Sequence, residues 1–308
     1  MNTNGNASAA IEVAVSAWTD AGRKRGENQD QFLVADLSVE PDAGGLLLQA
    51  DEPLDPAITP RIALGPRGLL AIVADGMGGA AGGRIASQLA IAWTYREMME
   101  RWAHDAAEDT APFVAALRDA ITAANAKVHQ HGQNNPELTG MGSTMTAVGL
   151  LGRAFYVAQV GDSRAYLLRS GSAHRLTRDQ SLVQRLIDAG ALTPEQAANS
   201  HQASVLLQAL GTASEVSVEV TWQHTLRDDV VLLCSDGLFR VVDDREIAAA
   251  AAALREPGLL CRALVDLAND RGGPDNVTVV AVRADGDGLD APDPAEAVAV
   301  NAYTFAGS

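Results

Sequence analysis

Four aspartates in this 308-residue chain share one local setting. Asp75 closes the run Ala71-Ile72-Val73-Ala74, Asp162 follows Ala158-Gln159-Val160-Gly161, and Asp236 follows Leu232-Leu233-Cys234-Ser235. Asp275 stands in Gly273-Pro274-Asp275-Asn276, just before the apolar Val277. A single Asp-Gly pair is ordinarily a turn. Four aspartates at strand ends, far apart in the chain, can instead converge on one rim of a sheet. Clustered carboxylates repel one another unless a cation holds them together. Ligation by oxygen alone selects hard ions such as magnesium or manganese over zinc. The six histidines show no His-Glu-x-x-His arrangement, and His129-x-His131 lies in a polar stretch and reads as solvated surface.

Other chemistries fit less well. Only Lys24 and Lys127 are lysines and neither follows a glycine, which eliminates a Walker-type phosphate loop. Two cysteines, Cys234 and Cys261, make neither a disulfide framework nor a four-cysteine zinc site; Cys234 lies in an apolar run and reads as a small buried hydrophobe. Asp285-x-Asp287 with Glu296 at the twelfth position mimics a calcium loop, but Leu289 and Asp290 stand where a ligand and the obligatory glycine belong. Gly76-Met77-Gly78-Gly79-Ala80-Ala81 fits a dinucleotide fingerprint by spacing. There, Asp75 would push a carboxylate toward the pyrophosphate, and Arg96 to Glu100 continues a helix where the ribose-binding acid should close a strand.

The elements that must carry these residues follow from periodicity. Ile11–Ala17 and Phe32–Ala35 read as strands, and the unbroken apolar run Leu69–Ala74 suits a strand buried on both faces. Helical patterns cover Gly83–Trp102 and Pro112 to about His131. Thr144–Leu168 reads as antiparallel strands joined by short turns. Ser181 caps a short helix over Leu182–Ala189, and Thr193-Pro194-Glu195-Gln196 starts another. Strands are expected at Val216–Val220, Val230–Cys234 and Val277–Val282, with helices over Asp244–Leu254 and Gly258–Asn269. The reading is one α+β domain of mainly antiparallel strands with flanking helices.

Composition is that of an ordinary globular chain, 47% apolar and 20% charged, with a net charge of −16. That charge argues against a nucleic-acid partner and against docking on anionic lipid. Residues 1–10 lack the features of a signal peptide, and no stretch reaches the roughly 18 apolar residues that span a bilayer, so a cytoplasmic protein is expected. Nine of the net charges fall in two segments. Residues 38–62, at −4, read as an acidic surface insertion between two strands, and residues 284–308, at −5, as a disordered acidic tail. The remaining domain covers residues 11–283, after a disordered 1–10, with a flap at 178–204.

Six segments in order resemble the motifs of the metal-dependent Ser/Thr protein phosphatases of type 2C, the PPM family, in their bacterial form. They are Asp20 to Asp30, Val73-Ala74-Asp75-Gly76-Met77-Gly78-Gly79, Gly142-Ser143-Thr144, Gly161-Asp162-Ser163-Arg164, Ser235-Asp236-Gly237-Leu238, and Gly273-Pro274-Asp275-Asn276-Val277-Thr278. The resemblance runs from about Val13 to Val282 and implies a four-layer αββα sandwich. It implies two Mn2+ or Mg2+ ions, with Asp75 bridging both, the Gly76 carbonyl on one of them, and Asp236 and Asp275 completing the first. Asp162 with Asp236 would hold a third ion. Asp30 would act from behind through waters, and Arg25 would grip the substrate phosphate with a planar fork. Paired hard cations lower the pKa of a water between them and neutralise phosphoryl charge, so hydrolysis needs no phosphoenzyme.

The implied substrates are phosphorylated proteins, with Ser/Thr kinases and their targets as the partners, and the implied enzyme is a monomer. Several positions depart from the family pattern. Gln29 replaces glutamate, Ala80 and Arg84 replace histidine and glutamate, Gln180 replaces a frequent histidine, and Met77 stands where animal members carry histidine. None of these changes removes a metal ligand, so activity is expected. The competing readings are a non-catalytic phosphoprotein-binding module and the dinucleotide-binding oxidoreductase.

Overall fold

The computed structural model describes residues 10–50, 55, 59–102, 110–198, 200–293 and 297–305. The chain opens with β1 (Glu12–Asp20), β2 (Asp30–Asp36), β3 (Leu46–Gln49), β4 (Arg61–Ala63) and β5 (Leu69–Met77). Two long helices follow, α1 (Gly79–Arg101) and α2 (Thr110–Asn134). Next come β6 (Gly142–Ser143), β7 (Met145–Leu151), β8 (Ala154–Val160), β9 (Arg164–Arg169) and β10 (Ser172–Arg175). The flap carries α3 (Leu182–Asp188) and α4 (Pro194–Ala198). The remainder is β11 (Glu219–His224), β12 (Val230–Cys234), α5 (Asp236–Phe239), α6 (Asp244–Ala253), α7 (Pro257–Asp270), β13 (Val277–Asp285) and β14 (Asn301–Ala302).

The strands form two antiparallel sheets. One has the order β10-β9-β12-β13-β1-β4; the other runs β14-β11-β8-β7-β5-β2-β3, with β6 beside β5. The unbroken apolar run of β5 is explained by what lies on each face. Leu70, Ile72 and Ala74 point into a core shared with α1 and α2, while Leu69, Ala71 and Val73 point into the core between the sheets. β13 repeats the logic: Val280 and Val282 face the inter-sheet core, and Val277, Val279 and Ala281 face α7. Three cores therefore separate four layers, an α+β sandwich of two sheets with helices outside. Cys234 and Cys261 are both buried in the core under α7.

The caps expected from sequence are present. Ser181 Oγ accepts from the Gln184 N–H, and Thr193 and Gln196 bond reciprocally at the start of α4. Three expectations need correction. The strand expected at Val216–Val220 starts at Glu219, since Val216 and Val218 pack against the helix-side core from irregular chain. The 38–62 insertion supplies strands, β3 pairing with β2 and β4 pairing with β1. The segment 284–308 is not a free tail where described. Leu289 is buried, β14 pairs with β11, and the ring of Tyr303 lies edge-on to Tyr156. Two aromatic residues near the end provide enough apolar area to dock the segment despite its charge. The expectation for residues 1–10 falls, apart from Ala10, outside the described residues.

Candidate active site

Both sheets contribute loops to a cavity of about 870 Å³ lined by Arg25, Asp75, Gly76, Asp162, Asp236 and Asp275, among others. Asp75 is brought there by β5, Asp162 by the β8–β9 turn, Asp236 by the first turn of α5, and Asp275 by the loop before β13. Asp30 does not line the cavity. It is the first residue of β2, paired in register with Asp75, and is 1% exposed behind it. The four aspartates read from the sequence are thus brought to one place.

Hydrogen bonds fix the backbone beneath them. The Asp75 N–H donates to Thr144 Oγ1 at 2.9 Å, and the Thr144 N–H and Ser143 Oγ donate to the Asp75 carbonyl. Thr144 Oγ1 also bonds Ser163 Oγ at 2.6 Å, tying β5 to the Asp162 turn. The Asn276 side chain donates to the Ala21 and Glu27 carbonyls and accepts from the Gln29 N–H, which lashes the Asp275 loop to the loop bearing Arg25. Close backbone approach explains two glycines. A Cβ on Gly76 would meet the Gly83 and Gln29 carbonyls, and one on Gly237 would meet the Asn276 carbonyl.

Electrostatics set the character of the site. Burial pushes the Asp75 carboxyl well above the usual range, and Asp30, Asp236, Asp162 and Asp275 push it further. Burial raises Asp162 to about 7, with Asp236 and Asp179 adding to it and Arg240 and Arg164 opposing. Burial raises Asp30 to about 7 as well, although hydrogen bonds from Ser235 and Thr278 favour its charged form. Asp236 is raised by burial, against the opposing charge of Arg240. Asp30 Oδ1 and Asp236 Oδ1 are buried with no hydrogen-bond donor. Buried carboxylate oxygens of this kind, crowded by like charge, fit hard divalent cations by donor chemistry.

Among the described residues, no three acidic, imidazole or thiol groups are already drawn together as a closed cation site. Arginines hold the oxygens instead. Arg25 donates from Nε and Nη2 to the two Asp275 oxygens at 2.8 and 2.7 Å. Arg240 Nη2 lies 2.7 Å from Asp236 Oδ2 and 4.0 Å from Asp162 Oδ2. Arg25, expected to grip phosphate, lines the cavity with its fork engaged by Asp275. Arg240 was not anticipated from sequence. Its signal was spacing alone, four residues after Asp236 at a helix start, where i and i+4 side chains meet.

The departures from the family pattern are placed too. Gln29 Nε2 donates to the Gly79 carbonyl, and Arg84 pairs with Glu27. Gln180 Oε1 accepts from the Gly161 N–H at 2.8 Å and so braces the turn that presents Asp162. The side chain of Ala80 falls outside the described residues.

Comparison with known proteins agrees with this geometry. The family model described as protein phosphatase 2C matches residues 49–257. The Ser/Thr protein phosphatase PstP of Mycobacterium tuberculosis is 41% identical over 212 residues, 68% of this chain, and the match spans only 39% of PstP. The Ser/Thr phosphatase stp of Listeria monocytogenes is 35% identical over 217 residues, 70% of this chain and 84% of stp. The crystal structure of the PstP catalytic domain in complex with two manganese ions superposes with a TM-score of 0.69 at 32% identity, covering 89% of this chain and 99% of that one. A shared sandwich, a family model spanning the end of β3 to the start of α7, and 35% identity to stp across 70% of the chain leave one assignment: this chain belongs to the protein phosphatase 2C family.

Proposed function

We propose that the chain hydrolyses phosphoserine and phosphothreonine in proteins, with two Mn2+ or Mg2+ ions as cofactors and a third ion near Asp162. The observation that carries the reading is the convergence of Asp75, Asp162, Asp236 and Asp275 on one cavity, with a buried Asp236 oxygen lacking any donor. Asp75, the Gly76 carbonyl, Asp236 and Asp275 would hold the core ions, Asp162 with Asp236 the third, and Asp30 would support Asp75 from behind. Bound there, the cations supply charge neutralisation for the phosphoryl oxygens and acidify water.

The chain's own residues do the rest. Arg25 borders the cavity and carries the planar fork suited to phosphate oxygens. Thr144 and Ser143 hold the Asp75 backbone so that its carboxylate direction is set by β5. Ser235 Oγ donates to Asp30 Oδ2 at 2.6 Å, which keeps the other Asp30 oxygen turned away from that bond. The proposal extends to Ser/Thr kinases and their targets as partners, to a monomer, and to a cytoplasmic location; no described helix is long and apolar enough to cross a membrane.

The test is hydrolysis of p-nitrophenyl phosphate and of a phosphothreonine peptide. Turnover with manganese, lost with chelator and restored by re-addition, is the expected result. A fully folded protein with no metal-dependent turnover on either substrate would sink the reading.

A further inference from the structure

A second cavity, of about 490 Å³, adjoins the first. Its volume is within the range of sites that enclose ligands. Asp162 and Arg240 line both spaces, and along the flap Ala203 lines the second while Ser204 lines the first. The two cavities are therefore continuous in their walls, and a chain seated at one can reach the other.

Apart from Asp162, which is assigned to the third cation, the charged groups of the second cavity are already satisfied, Arg240 by Asp236. Arg164 forks onto Asp179 at 3.0 and 2.7 Å and lies 3.6 Å over the Phe239 ring. Arg175 donates to the Thr177 carbonyl and to Gln184 Oε1. The rest of the lining is largely apolar. Val183 and Ile187, four residues apart on one face of α3, line it with Pro194 and Ala197 of α4 and with Phe239. A charged side chain entering this space would lose water without gaining a free partner, whereas an aliphatic one would gain by burial. A second observation points the same way. Of the five large apolar side chains exposed among the described residues, one lines the aspartate cavity and two sit on either side of a residue that does. Met77, 37% exposed, lines it, and Val205 and Leu207, 42% and 44% exposed, flank Leu206, which also does.

We propose that the second cavity is a docking subsite for an aliphatic side chain that flanks the phosphorylated residue of a polypeptide substrate. The proposal rests on the phosphatase reading and names its substrate class: phosphopeptides with a leucine or isoleucine beside the phosphoresidue. Ile187 and Val183 are then specificity-determining residues, outside the groups assigned to cations and phosphate.

The test uses the full chain with manganese and phosphothreonine peptides that are otherwise serine-rich, with one leucine moved to each position on either side. One placement should raise kcat/KM by about tenfold or more over the leucine-free peptide, the discrimination typical of a hydrophobic pocket. Ile187→Asp should cut that gain to under about threefold, with p-nitrophenyl phosphate turnover unchanged. Val183→Ser should act in the same direction, and thermal unfolding of both variants separates a lost subsite from a lost fold. Equal kcat/KM at every leucine placement, with p-nitrophenyl phosphate still hydrolysed, overturns the subsite and leaves the phosphatase reading standing. Should no phosphate ester be hydrolysed, the phosphatase reading fails and fluorescence anisotropy with the same labelled peptides decides the subsite. Leucine-dependent binding that Ile187→Asp removes sustains it, and uniform binding overturns it.

Discussion

Arg25 and Asp275, 250 residues apart in the chain, meet in a two-point ion pair at 2.8 and 2.7 Å. The Asp275 oxygens held by this fork are those a divalent cation would claim. On the proposed assignment, cation binding and the ion pair would compete for one carboxylate, and a released Arg25 would be free to meet phosphate in the cavity it lines.

Arg25→Ala should separate these two roles. Calorimetric titration with manganese should show affinity rising by about three- to tenfold, because a competing charge-assisted bond has gone. The kcat/KM for a phosphothreonine peptide should fall by about 10- to 100-fold, the value of one such bond to phosphate. Arg25→Lys should recover only part of it, since a point charge cannot reproduce the fork. An unchanged kcat/KM in Arg25→Ala would remove Arg25 from phosphate binding.

Asp75→Asn relieves the most crowded carboxylate of the cluster. In chelator its melting temperature should exceed that of the parent by about 2–4 °C, the shift expected per kcal/mol for a domain of this class. Manganese should then stabilise the variant far less than the parent, and turnover should drop by about a thousandfold. A variant as unstable in chelator as the parent would show that like-charge repulsion is not what strains this site.

Ser235 is buried, donates to Asp30 and accepts from the Thr278 N–H. Ser235→Ala leaves the buried Thr278 N–H without a partner and removes one of the donors to Asp30, a loss of about 1–3 kcal/mol in urea unfolding. Ser235→Thr, which keeps the hydroxyl, should recover much of the loss. Equal midpoints for serine and alanine would show that water replaces the hydroxyl.

A pH effect is expected at the Glu246–Arg271 pair between α6 and the end of α7. Hydrogen bonding to Arg271 holds the Glu246 carboxyl down at about 2, from an ordinary 4.5. A depressed acid contributes stability above its unfolded pKa and loses it as pH falls through the folded value. The melting-temperature gap between the parent and Glu246→Gln should therefore be widest above pH 4.5 and shrink toward pH 2. The pair is exposed and solvent-screened, so the gap should also narrow in high salt. A gap independent of pH would assign the effect to the α6 cap, where Glu246 accepts from the Asp243 N–H.

The four clustered aspartates were legible because a hydrophilic acid at the tip of an apolar run stands out locally, and six motifs set their order. The sandwich followed from the same runs, since β5 and β13 carry apolar residues on both faces. Arg240 and the Arg25–Asp275 pair were not legible, because each depends on how separate loops are positioned in space. The docking of the C-terminal segment was hidden for a different reason. Its acid excess dominates any compositional reading, while Tyr303 and Phe305, which pack against the helix-side core, are the two aromatic residues in a stretch of acids, prolines and small apolar residues. The second cavity had no sequence signal, as Phe239 reads only as the end of a motif.

Asp30 and Asp75 face each other across two neighbouring antiparallel strands, and the same register sets which apolar residues of β5 enter which core. A slip of β2 by one residue against β5 would turn Asp30 to the face opposite Asp75 and send the hydrophobes of β2 into the wrong cores. The fidelity of the reaction centre is thus checked by the oil-and-water sorting of the strands during folding. One sorting of strand faces builds both the cores and the acid cluster, so a frame error in the sheet would be felt in each at once.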